Sequence, residues 1–297
     1  MLVTSAFGAV KHNSGGAFAD VAAVKYQSGS TFANVTPKSY SGEAWYALIE
    51  YGAEWILVVG MGQSNLVGNP PPDIDGYGEY PTVTVAGAEY KTIAGTITYP
   101  IVEPTGNGDP PFDYSGQDSG GGVNGTGSMW PAFVNKYHDL TGKKVMVLSL
   151  GANGTMTSQW IADYLPMVKT RIDACLVYLT AQGYDFVFED IIWIQGESDN
   201  YAGVSQATYY DNLETIFDYF VTQYPSYVLH FNIGYPHYGT FYGTPNAQPA
   251  QLALASDRAD VTLASSLQYS GPGGWHFTQN QYNTIGEAIA VSMDGRK

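Results

Sequence analysis

From Trp55 onward, short unbroken apolar runs alternate with longer stretches in which apolar residues return every three or four positions. The runs Trp55–Val59, Lys144–Leu150, Asp190–Ile194, Tyr227–Ile233 and Val261–Ala264 lack period-two alternation, as expected of strands buried on both faces. Between them the spacing predicts helices over about 130–140, 160–182, 206–223, 247–258 and 279–292. In the second of these, Ile161, Leu165, Val168, Ile172, Leu176 and Leu179 form the apolar stripe. Strands that alternate with helices build a parallel sheet covered on both sides. The expected fold is therefore a three-layer α/β/α domain over 54–297 with a central five-stranded parallel sheet. In such sheets the chemistry gathers at the carboxyl ends of the strands.

Two regions break this rhythm. Residues 68–127 are rich in Gly, Pro and Asp, with β-like patches at 82–86 and 96–101, and so long an interruption predicts a lid or rim beside a site. Residues 1–50 hold a repeat: Ala9–Ala22 aligns without a gap to Ala23–Thr36, and Lys38, Ser41, Gly42, Trp45 and Leu48 keep a third, degenerate copy. Each copy reads as strand, Ser-Gly turn, strand. Hairpins this small need a surface to pack on, so the repeats predict a β-appendage that attaches the chain to a larger assembly or to further copies of itself. They resemble the short β-repeats at the base of phage tail and receptor-binding proteins.

Composition narrows the partners. The 27 Asp and Glu outnumber the 12 Lys and Arg, for a net charge of −15, and no window clusters bases. Nucleic acid, which is bound by releasing counterions to clustered Lys and Arg, is excluded as a partner, and so is an anionic membrane surface. No run reaches the length of a membrane span, and residues 1–11 carry no basic stretch followed by an apolar one, so no secretion leader is expected. The single cysteine, Cys175, sits in an apolar helical context and reads as a buried small hydrophobe. With 35 Gly, 16 Pro and 24 Tyr the surface is rich in turns and hydroxyl-bearing rings, suited to sugars.

The informative residues follow the first three predicted strands. Gly60-Met61-Gly62-Gln63-Ser64-Asn65 places a serine at a strand's end, where its hydroxyl can face a cleft beside backbone amides; Leu66 excludes the G-x-S-x-G elbow. Gly151-Ala152-Asn153-Gly154-Thr155 follows the second strand, with Trp160 beyond, and Trp193-Ile194-Gln195-Gly196-Glu197-Ser198-Asp199 closes the third. No His, Cys or carboxylate spacing suggests a metal, and no cofactor is expected.

Together, in this order, the three blocks resemble the SGNH/GDSL hydrolases, specifically the sialate O-acetylesterase and acetylxylan esterase-like branch. The resemblance covers about residues 55–290. It implies Ser64 as nucleophile, an oxyanion hole made by the amides of Ser64 and Gly154 and the side chain of Gln195, and His276 as base. Gln63, Asn65, Asn153, Trp160, Glu197, His237 and Trp275 are the candidate substrate-binding residues; Glu197 and Asp199 are also expected to fix loops through backbone amides. Trp130, Tyr235, Tyr238 and Tyr242 join Trp160 and Trp275 as aromatics that could stack on pyranose rings. His237 follows the fourth strand; His12, His138 and His230 sit in less favourable contexts.

Two departures stand out. Asn153 replaces a glycine of the second block, and Gly273 stands where the resemblance places the acid of an Asp-x-x-His block. Asp257 and Asp260 lie upstream in a helix–strand connection and are no natural replacement. The expected function is a cofactor-free serine esterase, an extracellular or virion-associated enzyme that deacetylates an O-acetylated glycan with a Ser64–His276 dyad. The alternative is a glycan-binding descendant, an adhesin or tail protein, that keeps the cleft and has lost the chemistry.

Overall fold

The computed structural model describes residues 24–28, 31–35, 39–41, 44–46, 54–68, 87–91, 96–98, 128–237, 243–266 and 276–296. The chain divides into two compact units, Met1–Ala53 and Glu54–Lys297. In the first, β1 (Val24–Ser28) pairs antiparallel with β2 (Thr31–Val35), and β3 (Ser39–Ser41) with β4 (Ala44–Tyr46). In the sequence a Ser-Gly of the repeat, Ser28-Gly29 or Ser41-Gly42, stands at the end of the first strand of each pair. The first copy, and any assembly through residues 1–50, lie outside the described residues.

The second unit runs β5 (Trp55–Gly62), α1 (Ser64–Val67), β6 (Gly87–Lys91), β7 (Thr96–Thr98), α2 (Trp130–Thr141), β8 (Lys144–Gly151), α3 (Thr157–Gln159), a wide helical turn over Trp160–Tyr164, α4 (Leu165–Ala181), β9 (Phe186–Ile194), α5 (Glu197–Tyr201), α6 (Gln206–Gln223), β10 (His230–Gly234), α7 (Ala247–Asp257), β11 (Val261–Ser265) and α8 (Gln279–Asp294). The sheet order is β11-β10-β9-β5-β8-β6-β7, in which β11, β10, β9, β5 and β8 form the expected five-stranded parallel core. Those five strands have flavodoxin-like order, which puts β5 at the point where the chain switches sides of the sheet.

Alternation along β5 explains the layers. Leu57, Val59 and Met61 face a core shared with α4, α6 and α7, whereas Ile56 and Val58 face α2 and α8. Both sets are buried, so period-two alternation of polarity is absent even though the side chains alternate in direction. Cys175 lies buried on the inner stripe of α4, and burial pushes its thiol up to about 12, as befits a small hydrophobe. Among the described residues no helix is long and apolar enough to cross a membrane.

The 68–127 segment adds to that core: β6 lies parallel beside β8 and β7 antiparallel beside β6, so the sheet has seven described strands in all. Its first described strand is Gly87–Lys91; the expected 82–86 patch, the rest of the segment and any lid it forms fall outside the described residues. The fourth strand starts at His230 and not at Tyr227, because Tyr227 belongs to the turn closing α6 and Val228 is exposed.

Candidate active site

The parallel strands end level. Gly62 of β5 sits opposite both Gly151 of β8 and Ile194 of β9, and Ile194 sits opposite Gly234 of β10. The three glycine-flanked blocks and the segment carrying His237 are thus delivered to one edge. Gly62 is what lets β5 and β9 come so close there: its φ is +146°, and a Cβ at that position would stand 2.0 Å from the Ile194 carbonyl oxygen. Directly after it Gln63 donates its backbone N–H back to Ile194 O (3.0 Å), and the chain turns into α1 with Ser64 as the first helical residue.

Asn65 carries the connection across the site. Its Oδ1 accepts from the backbone N–H of Phe277 (3.1 Å) and from the Tyr282 hydroxyl (2.8 Å), and its Nδ2 donates to Glu197 Oε1 (2.6 Å). The same Glu197 oxygen accepts the backbone N–H of His237 (2.8 Å). The residue after Ser64 is therefore bonded to the residue after His276, and through Glu197 to the loop after β10. The Phe277 ring packs edge-on against the His237 imidazole, with centroids 5.1 Å apart. Burial pushes His237 down to about 4, and it pushes His276 down to about 4 as well, with the neighbouring His237 adding to the shift at His276. Both rings are neutral near neutral pH, the state a general base needs.

The third block faces inward. The Gln195 amide group donates to Thr155 O (2.9 Å), Asp199 Oδ2 (2.5 Å) and Gln63 Oε1 (3.3 Å). Its carbonyl side is held by the Tyr209 hydroxyl, and Gln251 Nε2 donates to its backbone oxygen. Asp199 accepts from the Thr157 backbone N–H (3.0 Å) and hydroxyl (2.6 Å). Burial pushes the Glu197 carboxyl up to about 7, against the hydrogen bonds from His237 N–H and Asn65 that favour its anion. Burial also raises Asp199, opposed by its bonds from Thr157 and Gln195.

Known folds match this arrangement. A protein of Arabidopsis thaliana superposes with a TM-score of 0.56 at 15% identity, over 81% of this chain and 98% of that one. The fold is that of the SGNH hydrolases. A carbohydrate acetylesterase of Xanthomonas citri gives a TM-score of 0.51 at 14% identity, over 80% of this chain and 55% of that one. No family model matches the sequence, and no curated protein does.

On this SGNH fold Ser64, Gly154, Gln195, Glu197, His237 and His276 come to the same edge of the sheet, but they do not all face outward. Gly154 is the exposed apex of the turn after β8, with a φ of +68°, so the left-handed position of that turn still falls on a glycine although Asn153 replaces its neighbour. Asn153 is half-buried, and its Oδ1 finds no hydrogen-bond partner among the described residues. Gln195, expected in the oxyanion hole, is a strut: fully buried, its amide hydrogens are committed to three internal acceptors.

Trp160, expected to touch substrate, is 0% exposed, packs edge-on against Trp193, and donates Nε1–H to Thr155 Oγ1 (2.9 Å), holding the turn after β8 from behind. Trp130 likewise lies in the core. Gln63, Asn65, Glu197 and His237 are buried, at 4%, 0%, 0% and 1% exposure, beside Ser64 at 8%. The loop-fixing expected of Glu197 and Asp199 is the role their carboxylates take, through His237 N–H and Thr157 N–H. Trp275, Tyr238 and Tyr242 lie outside the described residues, and so does Gly273.

Thr157, Tyr209, Gln251 and Tyr282 were missed on the sequence. Tyr209 and Tyr282 sit on apolar helix faces and read as core. Gln251 carried a signal, since it occupies an inward position of α7 between Ala250 and Leu254, where a buried amide demands polar partners.

Proposed function

We propose that the chain is a serine esterase that removes acetyl groups from an O-acetylated glycan. The observation that carries this reading is the bond from Phe277 N–H to Asn65 Oδ1, which joins the peptide after Ser64 to the peptide after His276 across 212 positions of sequence. A hydroxyl at a strand end and a neutral imidazole on the facing loop are the two parts that acyl transfer requires.

In this reading the His276 ring takes the Ser64 hydroxyl proton as Oγ bonds to the acetyl carbonyl carbon. The oxyanion is met by the N–H groups of Ser64 and Gly154, which cost no reorganisation as charge develops. The tetrahedral intermediate expels the sugar oxygen, which leaves with the proton held by His276. Water, deprotonated by the same ring, then attacks the acetyl-enzyme and releases acetate. A glycan substrate is supported by the Xanthomonas neighbour's being a carbohydrate acetylesterase and by Trp275 beside the base.

Gly273 favours the second reading, a glycan-binding protein without turnover. In a serine protease, loss of the orienting carboxylate costs about 10⁴ in kcat, on the order of 5 kcal/mol. An acetyl ester is easier to cleave than an amide, so a dyad suffices for turnover. Acetate release from a panel of O-acetylated polysaccharides and from p-nitrophenyl acetate separates the two. The esterase reading expects hydrolysis that Ser64→Ala abolishes; equal rates for both proteins would leave binding as the function.

A further inference from the structure

We propose that Asn65 and Glu197 are positioning residues for catalysis, a two-part clamp that fixes the peptide bearing His276 against the peptide bearing Ser64. This rests on the reading of Ser64 and His276 as the reacting pair. An orienting acid holds the histidine ring; here Gly273 offers no side chain for that task. The clamp acts one covalent step away, on the backbone, where fixing Phe277 N–H against Asn65 Oδ1 limits where the preceding residue can place its imidazole.

Three features make this more than loop packing. The contacts converge: Asn65 touches Phe277, Tyr282 and Glu197, and Glu197 reaches on to His237, so one side chain is bonded to both histidine-bearing segments directly or through one partner. The amide of Asn65 is used on both ends, oxygen toward the base loop and nitrogen toward Glu197, which fixes its orientation as no residue lacking one of those groups could. Glu197 is fully buried with Oε2 unpartnered among the described residues. Retaining a lone carboxyl in such a place is costly unless Oε1 performs a task.

The test is steady-state hydrolysis of p-nitrophenyl acetate by the full chain and its Ser64→Ala, Asn65→Ala, Glu197→Ala and Glu197→Gln variants, with circular dichroism as the check on folding. A misplaced base slows chemistry without weakening substrate binding. Asn65→Ala is expected to lower kcat by about 100-fold with KM nearly unchanged. Glu197→Gln keeps an oxygen for His237 N–H and Asn65 Nδ2, so it is expected to retain most of the kcat that Glu197→Ala loses. Combining Asn65→Ala with Glu197→Ala should cost little beyond the worse single change, since both break one clamp. Folded Asn65→Ala with wild-type kcat overturns the clamp, as does Glu197→Gln no better than a folded Glu197→Ala. If Asn65→Ala does not fold, the two Glu197 variants decide. Full activity in Ser64→Ala sinks the nucleophile assignment instead, a result distinct from failure of the clamp.

Discussion

The two walls of the candidate site are built differently. On the wall formed by the ends of β5, β8 and β9, motif residues bond to one another: Gln195 to Thr155, Asp199 and Gln63, Asp199 to Thr157, Trp160 to Thr155, with Tyr209 and Gln251 closing the set from α6 and α7. The opposite wall, carrying His237 and His276, reaches the first through Asn65 and Glu197, while the Phe277 ring packs on His237 within it. Redundancy on one side and two polar bridges on the other teach a division of labour. In the proposed reading, Ser64 and the turn at Gly154 are set by the framework, while His276 is brought to them by a loop.

The hardest test of that division is removal of the base. His276→Ala is expected to lower kcat on p-nitrophenyl acetate by about 10³-fold or more, while His237→Ala, which alters packing behind the base, costs about tenfold. The reverse order would make His237 the base and reassign the wall.

Next comes the strut. Gln195→Leu deprives Thr155 O, Asp199 and Tyr209 of a shared partner and should cost about 3 kcal/mol of stability by denaturant unfolding. A cost under about 0.5 kcal/mol would mean that the framework wall is not locked by this network.

On the histidine wall, Glu197 links stability to pH. Its folded-state value of about 7 stands above the ordinary 4.5, so the folded chain holds a proton that the unfolded chain has lost between those values. Stability is full below about 4.5 and falls as pH rises toward 7, by on the order of 3 kcal/mol. Glu197→Gln should remove that slope; unfolding curves for the two proteins that run parallel across this range would contradict the burial argument.

The smallest effect sharpens the picture of the base. With both imidazoles held near 4 by burial, the acid limb of kcat/KM is expected near pH 4, below the 6.5 of an ordinary histidine. A limb between 6 and 7 would show a solvated base. The two rings interact, so the limb belongs to the pair.

Much of the scaffold was legible because its strands are buried on both faces and its helices keep a clean apolar stripe. The strand at Gly87–Lys91 was not, since Gly, Ala, Glu and Lys have weak strand preference and its place beside β8 is set by pairing alone. Within the site, the positions of Ser64 and of the turn at Gly154 just after strand ends were legible. Direction was beyond reach. Gln195 has the chemistry to meet a sugar, and whether its side chain turns outward or inward depends on partners such as Tyr209, 14 positions further on, and Thr155, 40 positions back. The level ends of the parallel strands made position readable, and long-range bonding made orientation unreadable.

The bonds that Asn65 makes with Phe277 and Tyr282 span 212 and 217 positions of chain. Contacts so distant form late, because loop closure must precede them. The sheet around β5 can assemble while α8 is still undocked, with Ser64 in place and His276 not yet opposite it. On the proposed reading, ester hydrolysis is therefore a clock for the end of folding: after dilution from denaturant, helix signal should recover first and acetate release only when the last helix seats against α2.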